Sequence, residues 1–230
     1  MLVGMTDAYD EPDGIAARGT VLVAAGRGET AGAYGRFGRR IAADGYRVRV
    51  LPDVTADLDA SFDAAAKLLV DSTRPGPKVV AGSDTGALFA LALATRATPG
   101  LDALILAGLP VEPPTGVNLL SWDDEISART ACPNHQRVLG AGATSLLAAP
   151  IPAFTIGAVD LPTLGLHGDA DPISPLASAR PHYPGSLVTI AGGRHDVLND
   201  VSHRTVAATV VLFLERLRLG ADLPVIAGVR

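Results

Sequence analysis

The sequence predicts an α/β fold, a mostly parallel sheet flanked by helices, and three observations carry that prediction. Short apolar, β-branched runs alternate along the chain with segments of helical composition. Several of these runs pass directly into glycine, aspartate or serine, which a parallel sheet would gather at one rim. The stretch from Lys78 to Ala90 reads as strand, sharp turn and helix, the order in which a polar side chain is pushed out at the crest of a tight turn.

In chain order, Thr20 to Ala25 is a continuous apolar run of the kind buried on both faces of a sheet. The glycine-rich loop from Gly26 to Gly32 follows, then a helix from about Tyr34 to Asp44. The loop does not read G-x-G-x-x-G, and no acidic residue ends the next strand to hold a ribose, so a dinucleotide is not expected. Tyr46 to Leu51 is the second strand, and Leu58 to Val70 the second helix. Pro75-Gly76-Pro77 turns the chain into the strand that begins at Lys78, and Leu101 to Ala107 is a further buried strand.

The rhythm breaks between residues 110 and 160. Pro113-Pro114 opens this segment, and Ser121 to Glu125 has capping-box spacing, so a short helix is expected from Trp122 to Ala131, before Pro133. Leu146, Leu147, Ile151 and Phe154 are apolar residues among alanines and prolines. An insertion of this size predicts a lid at the carboxyl ends of the strands. Residues 1–109 and 161–230 are then the core and 110–160 a lid or cap. Regular alternation resumes with the strand before Gly168-Asp169-Ala170-Asp171, the strand Ser186 to Ala191 before Gly192-Gly193-Arg194-His195, and a final helix from about Val201 to Leu219. That helix carries Val206, Val210, Phe213, Leu214 and Leu217 on one face.

Composition narrows the function. At 230 residues the chain fits one α/β domain with a modest insertion. The formal charge of −5, with no basic block, argues against nucleic acid and anionic membranes as partners. Cys132 is the single cysteine, so a disulfide framework and a Cys-rich metal site are excluded. Its spacing to His135 is metal-like, but two ligands do not make a site. The stretch from Met1 to Asp13 is acidic and broken by Gly and Pro, unlike a signal peptide, and no uninterrupted apolar run reaches membrane length. A soluble cytoplasmic protein without metal or cofactor, acting on a small molecule, is the expectation.

Three strand ends offer chemistry in the chain order nucleophile, carboxylate, imidazole. The nucleophile is Ser83 or Asp84: flanking glycines centre the turn on Asp84, while Ser83 supplies a hydroxyl. An aspartate there also has a non-chemical use, complementing a helix N-terminus. His195 is the base, and Asp169 and Asp171 compete for the acid. A hydroxyl becomes a competent nucleophile when an imidazole takes its proton, a carboxylate fixes the imidazole tautomer, and backbone N–H groups hold the oxyanion. His135, His167, His182 and His203 read as structural.

These segments resemble the α/β-hydrolase fold, and in particular the monoacylglycerol lipase and lysophospholipase-like branch that includes serine aminopeptidase-type hydrolases. The branch's H-G-x-G-E-H-S-G-R-Y is similar to Ala25-Gly26-Arg27-Gly28-Glu29-Thr30-Ala31-Gly32-Ala33-Tyr34, and its G-H-S-M-G-G-A elbow to Ala81-Gly82-Ser83-Asp84-Thr85-Gly86-Ala87. Its G-x-x-D corresponds to Gly168-Asp169-Ala170-Asp171, and its terminal histidine pattern to His195-Asp196-Val197-Leu198. Ala25 and Thr85 depart from the branch, and the first two strands of the fold look trimmed. The resemblance implies a serine hydrolase cleaving carboxylic esters, with Ser83 acylated, His195 as base and Asp171 as orienting acid. It implies oxyanion donors at the N–H groups of Arg27 and Asp84. Gly26, Glu29, Trp122, Leu146 and Phe154 are then expected around an ester with an apolar acyl or alkyl part. Two alternatives stand beside it: an Asp84 nucleophile opening epoxides or displacing halide, similar to the G-x-D-x-G hydrolases of the same fold, and a catalytically silent binding protein.

Overall fold

The computed structural model describes residues 7–51, 53–111, 121–142 and 151–227. Its strands are β1 (Asp7–Tyr9), β2 (Gly19–Ala24), β3 (Tyr46–Leu51), β4 (Lys78–Ser83), β5 (Ala103–Ala107), β6 (Thr163–Gly168) and β7 (Ser186–Ile190). The helices are α1 (Gly35–Ala43), α2 (Leu58–Val70), α3 (Thr85–Thr95), α4 (Trp122–Arg129), α5 (Pro133–Gly142), α6 (Leu176–Ala179) and α7 (His203–Leu219). The strands form one sheet in the order β1-β3-β2-β4-β5-β6-β7. Every pairing is parallel except β1 with β3. The expected mostly parallel sheet with flanking helices is therefore present.

The continuous apolar runs are explained by burial on both faces. Val21, Val23, Val79, Ala81 and Ile105 point into a core shared with α1 and α7. Leu22, Ala24, Val80, Leu104 and Leu106 point the other way, towards α2 and α3. Helix α3 is buried around most of its circumference because it lies directly on the sheet beneath the crest. The expected face of α7, Val206 to Leu217, is buried.

Two elements go beyond what the sequence suggested. The stretch before Asp13 contains an antiparallel edge strand, β1, whose Asp7 pairs with Val50 and whose Tyr9 pairs with Val48. Tyr9 is held against α1, where a Cβ on Gly38 would collide with its ring. Helix α4 does end before Pro133, and Pro133 itself begins α5: a proline lacks the N–H that the first turn of a helix leaves unused, so it suits that position. Ser121 does cap α4, its hydroxyl accepting the Asp124 N–H at 3.1 Å.

Both described helices of the insertion are fastened to the core. The Asp200 carboxylate receives the Thr130 hydroxyl at 2.9 Å and the Ala131 N–H at 2.8 Å, and the Asp196 N–H donates to the Arg129 carbonyl at 2.9 Å. The segment 151–160 returns along α3, where Gly157 N donates to the Thr95 hydroxyl at 3.0 Å. No helix among the described residues is long and apolar enough to cross a membrane.

Candidate active site

Local backbone geometry identifies the crest of the β4–α3 turn. Asp84 has φ 49° and ψ −123°, a conformation an L-residue rarely takes, whereas Ser83 is the last residue of β4, paired with Ala107. The glycines on either side make the turn possible. A Cβ on Gly82 would run into the backbone of Gly86, and one on Gly86 into the Ala24 carbonyl. The elbow is thus centred on Asp84, and the register that places Ser83 at its crest is corrected. The Ser83 side chain lies on the α1 side of the sheet with Val79 and Ala81, and is buried there.

Asp84 meets the other two strand ends. His195 Nε2 donates to Asp84 Oδ1 at 3.3 Å, and His195 Nδ1 donates to Asp171 Oδ2 at 2.8 Å. Asp171 Oδ1 accepts the N–H groups of Ile173 and Ser174 at 2.8 and 3.0 Å, which fixes the carboxylate in the turn after β6. Asp169 is exposed and receives the Gly192 N–H, so Asp171 is the acid that reaches the imidazole. Gly108, at φ +53°, lets the chain after β5 pass under His195; a Cβ there would strike the His195 carbonyl. His167 bonds Tyr183 at 2.8 Å and the Ser174 carbonyl at 2.7 Å, the structural role expected of it.

The glycine-rich loop supplies a cation and an N–H. Arg27 N donates to Asp84 Oδ2 at 3.0 Å, its Nε donates to the same oxygen at 3.0 Å, and its Nη2 reaches Oδ1 at 3.3 Å. The Asp84 N–H, by contrast, is spent on the Ala107 carbonyl at 3.1 Å, so the expectation that it serves as an oxyanion donor is corrected. With the crest at Asp84, the next N–H in the helix start belongs to Thr85, one of the donors that a helix leaves without an internal acceptor.

Burial makes these charges count. Asp84, Asp171 and His195 are at most 5% exposed. Burial alone would raise the Asp84 carboxyl, but the His195 hydrogen bond and the charges of Arg27, His195 and Arg129 outweigh it and hold the group well below the usual carboxylate range. Asp171 is likewise lowered, against burial, by the charge of His195 and by bonds from His167 and His195. Burial would depress His195, yet the charge of Asp171 and the bonds to Asp171 and Asp84 push it up to about 10. The resting imidazole is a cation between two anions.

Behind this row lies a second buried ionic group. Arg129, on α4, donates to Glu29 at 3.0 Å, to Glu125 at 3.1 Å and to the Arg27 carbonyl at 3.2 Å. His135 bonds Asp196 at 3.2 Å. Ligand atoms of Glu29, His135 and Asp196 lie within 4.8 Å of one another, but Arg129 Nη1 sits 3.0 Å from Glu29 and 3.9 Å from Asp196, supplying the positive charge there. Glu29 therefore belongs to this lock, also bonded to the Tyr34 hydroxyl, with its side chain buried. Burial and the nearby Asp196 charge raise it to about 7.

The remaining expected substrate contacts separate. Gly26 borders Asp84, its N–H held by the Tyr34 hydroxyl at 3.1 Å. Trp122 is half-buried at the start of α4. Leu146 lies outside the described residues. Phe154 lines a cleft with Phe62, Ala92 and Arg96 at the far end of α3, about 12 Å along that helix from Asp84, so its placement at the site is corrected. Arg129 had no signal in the sequence beyond being a basic residue late in a helix. The Arg27 side chain was likewise unforeseen, because only its N–H had been assigned a role.

No protein-family model matches the sequence, and no curated protein matches it either. Solved structures do. A monoacylglycerol lipase from Paleococcus ferrophilus aligns over 91% of this chain and 97% of its own, with a TM-score of 0.65 and 14% identity. A soluble variant of monoglyceride lipase from Saccharomyces cerevisiae, bound to a substrate analog, aligns over 91% and 90%, with a TM-score of 0.66 and 14% identity. An esterase from Rhodococcus sp. ECU1013 aligns over 92% and 99%, with a TM-score of 0.66 and 17% identity. The chain has the α/β-hydrolase fold.

Proposed function

We propose that this chain is a hydrolase that works through Asp84, opening an epoxide or comparable electrophilic ether by way of an ester on its own carboxylate. The observation that carries this reading is His195 bridging Asp171 and the strained crest residue Asp84. A carboxylate kept ionised by its surroundings is a nucleophile without any base. Asp84 Oδ2 is held by the Arg27 N–H and Nε, both at 3.0 Å, so Oδ1, with only the longer 3.3 Å contacts from Arg27 Nη2 and His195, is the attacking oxygen.

Proton balance favours a leaving oxygen. Attack by Oδ1 breaks the ring C–O bond, and the resting imidazolium gives its proton to the alkoxide that forms. Esterification also removes the Asp84 charge, one of the two anions that keep His195 protonated, so the neutral imidazole persists as a base. It then takes a proton from water, and hydroxide adds to the Asp84 carboxyl carbon. The oxyanion falls on Oδ2, against the N–H groups of Arg27 and Thr85. Collapse releases the product oxygen with the proton from His195, and the new carboxylic acid returns a proton to the imidazole. The sum is one epoxide plus one water giving one diol.

The names of the solved neighbours favour a second reading, carboxylic ester hydrolysis by an acyl-enzyme on Ser83 with His195 and Asp171 in their triad roles. It requires Asp84 to vacate His195 so that the Ser83 hydroxyl can reach the imidazole. One set of variants separates the two. With a styrene oxide or alkyl epoxide panel, His195→Gln should accumulate a covalent adduct whose mass equals protein plus epoxide, mapped by peptide mass spectrometry to Asp84. Ser83→Ala should retain turnover. A fluorophosphonate label lost in Ser83→Ala, with ester turnover lost alongside, establishes the serine reading instead, and no turnover of either panel leaves a silent binding fold.

A further inference from the structure

A cleft of about 560 Å³ lies on the flank of the sheet, where α1 meets the N-terminal ends of α5 and α7. Arg36, Arg39 and Arg40 line it at positions i, i+3 and i+4 of α1, which places them on one face of that helix. His203 and Arg204 face them from the first turn of α7, and Asn134 from the first turn of α5. In a chain of net charge −5, four guanidinium groups therefore surround one cavity.

These charges are not balanced internally. Among the described residues no carboxylate forms an ion pair with any of the four arginines, whereas Arg18, Arg47, Arg49, Arg74 and Arg218 elsewhere on the surface each hold one. Asp44, the acid lining the cleft, makes no ion pair among the described residues. The neighbouring Asp200 has its oxygens committed to Thr130, Ala131 and the Arg194 N–H. Arg36 donates instead to neutral acceptors, Cys132 Sγ at 3.3 Å and the Asn199 carbonyl.

The arrangement also runs against helix electrostatics. The first turn of α7 carries His203 and Arg204 and no acidic residue, and Ser202 makes no side-chain cap. The charge of Arg204 thus sits at the positive end of a 17-residue helix, where it opposes the helix dipole. Burial and the charges of Arg36, Arg40 and Arg204 lower the His203 pKa, a sign of crowded positive potential, and its Nδ1 is buried without a hydrogen-bond partner among the described residues. A helix start that selection for stability alone would furnish with acids is furnished with bases.

We propose that this cleft binds a phosphate-bearing anion of the diphosphate type. Guanidinium forks match phosphate oxygens two at a time, and a multiply charged group satisfies several of them together where a single carboxylate would satisfy one. The site is separate from Asp84 and does not depend on the reaction assigned there.

The test is calorimetric titration of the full chain with sodium pyrophosphate at constant ionic strength, paired with the double variant Arg40→Glu/Arg204→Glu. Both residues are exposed, so unchanged circular dichroism and thermal midpoint will show that the variant is folded. Saturable binding that weakens roughly tenfold or more in the variant is the expected result. A second arm uses flotation with phosphatidylcholine vesicles containing phosphatidic acid. Binding to those vesicles alone, lost in the same variant, places the phosphate on a lipid headgroup; binding to pyrophosphate places it on a soluble ligand. Binding to neither probe, or affinity indifferent to the charge reversal, overturns the proposal.

Discussion

Asp84 occupies a conformation that costs on the order of 1–3 kcal/mol for a non-glycine residue. Its surroundings over-determine it: Gly82 and Gly86 close beneath the turn, and Arg27 and His195 hold the carboxylate from above. Because two anions share one imidazolium, removing one should be felt by the proton. In Asp84→Asn the His195 pKa should fall from about 10 by at least one unit, since the neutral amide keeps the shape and loses the charge. Histidine proton–nitrogen correlation spectra across the pH range read this directly, and an unchanged titration would mean that Asp84 does not support the imidazolium. The glycine frame around Asp84 was legible in the sequence. The resemblance pulled the register one residue the other way, because aligning a familiar serine outweighed the local requirement that both neighbours of the crest be small.

Helix α4 shows what an element can do at long range. Its Arg129 is 1% exposed and links Glu29, Glu125 and the Arg27 carbonyl, so it pins the loop that carries the N–H facing Asp84. Replacing Arg129 with methionine would strand buried carboxylates and should cost about 3–5 kcal/mol. Part of that cost depends on pH. Arg129 is one of the charges that keep Glu29 from rising above about 7; without it Glu29 holds its proton to higher pH, so between pH 6 and 8 the folded variant keeps a proton that the wild type gives up, and the loss grows with pH. Denaturant unfolding of Arg129→Met at the two pH values should therefore show the larger loss at pH 8, and equal losses would place the cost elsewhere. The capping box announced where α4 begins, and the apolar runs announced each strand. The ionic lock was illegible because Arg129 and Glu29 stand 100 positions apart, and nothing in local composition marks a buried pair. The second helix of the insertion was missed for a simpler reason: a proline ends a helix from inside but starts one from its first turn.

At the scale of the molecule, parallel strands bring β4, β6 and the turn after β7 to one rim, and so gather groups whose ionisation is tied to folding. The direction of each shift sets a stability profile. His195 is raised from 6.5 to about 10; its favourable contribution is complete below pH 6.5 and is lost as pH climbs through 10. Glu29 is raised as well, from 4.5 to about 7, so its contribution fades between those values. Asp84 and Asp171 are lowered, and what they add is present above the ordinary carboxylate range and disappears in acid. The thermal midpoint should therefore be highest at about pH 4 to 5, fall gently towards pH 7 as Glu29 ionises, and fall further above that as His195 loses its proton. His195→Gln tests the assignment by shape instead of by height. Without the cation, the alkaline limb should flatten, and the acid limb should move to higher pH because Asp84 and Asp171 lose the charge that keeps them ionised. Parallel thermal melts of the two proteins from about pH 2 to 10 will show it, and an alkaline limb of unchanged steepness in the variant would remove His195 as its source.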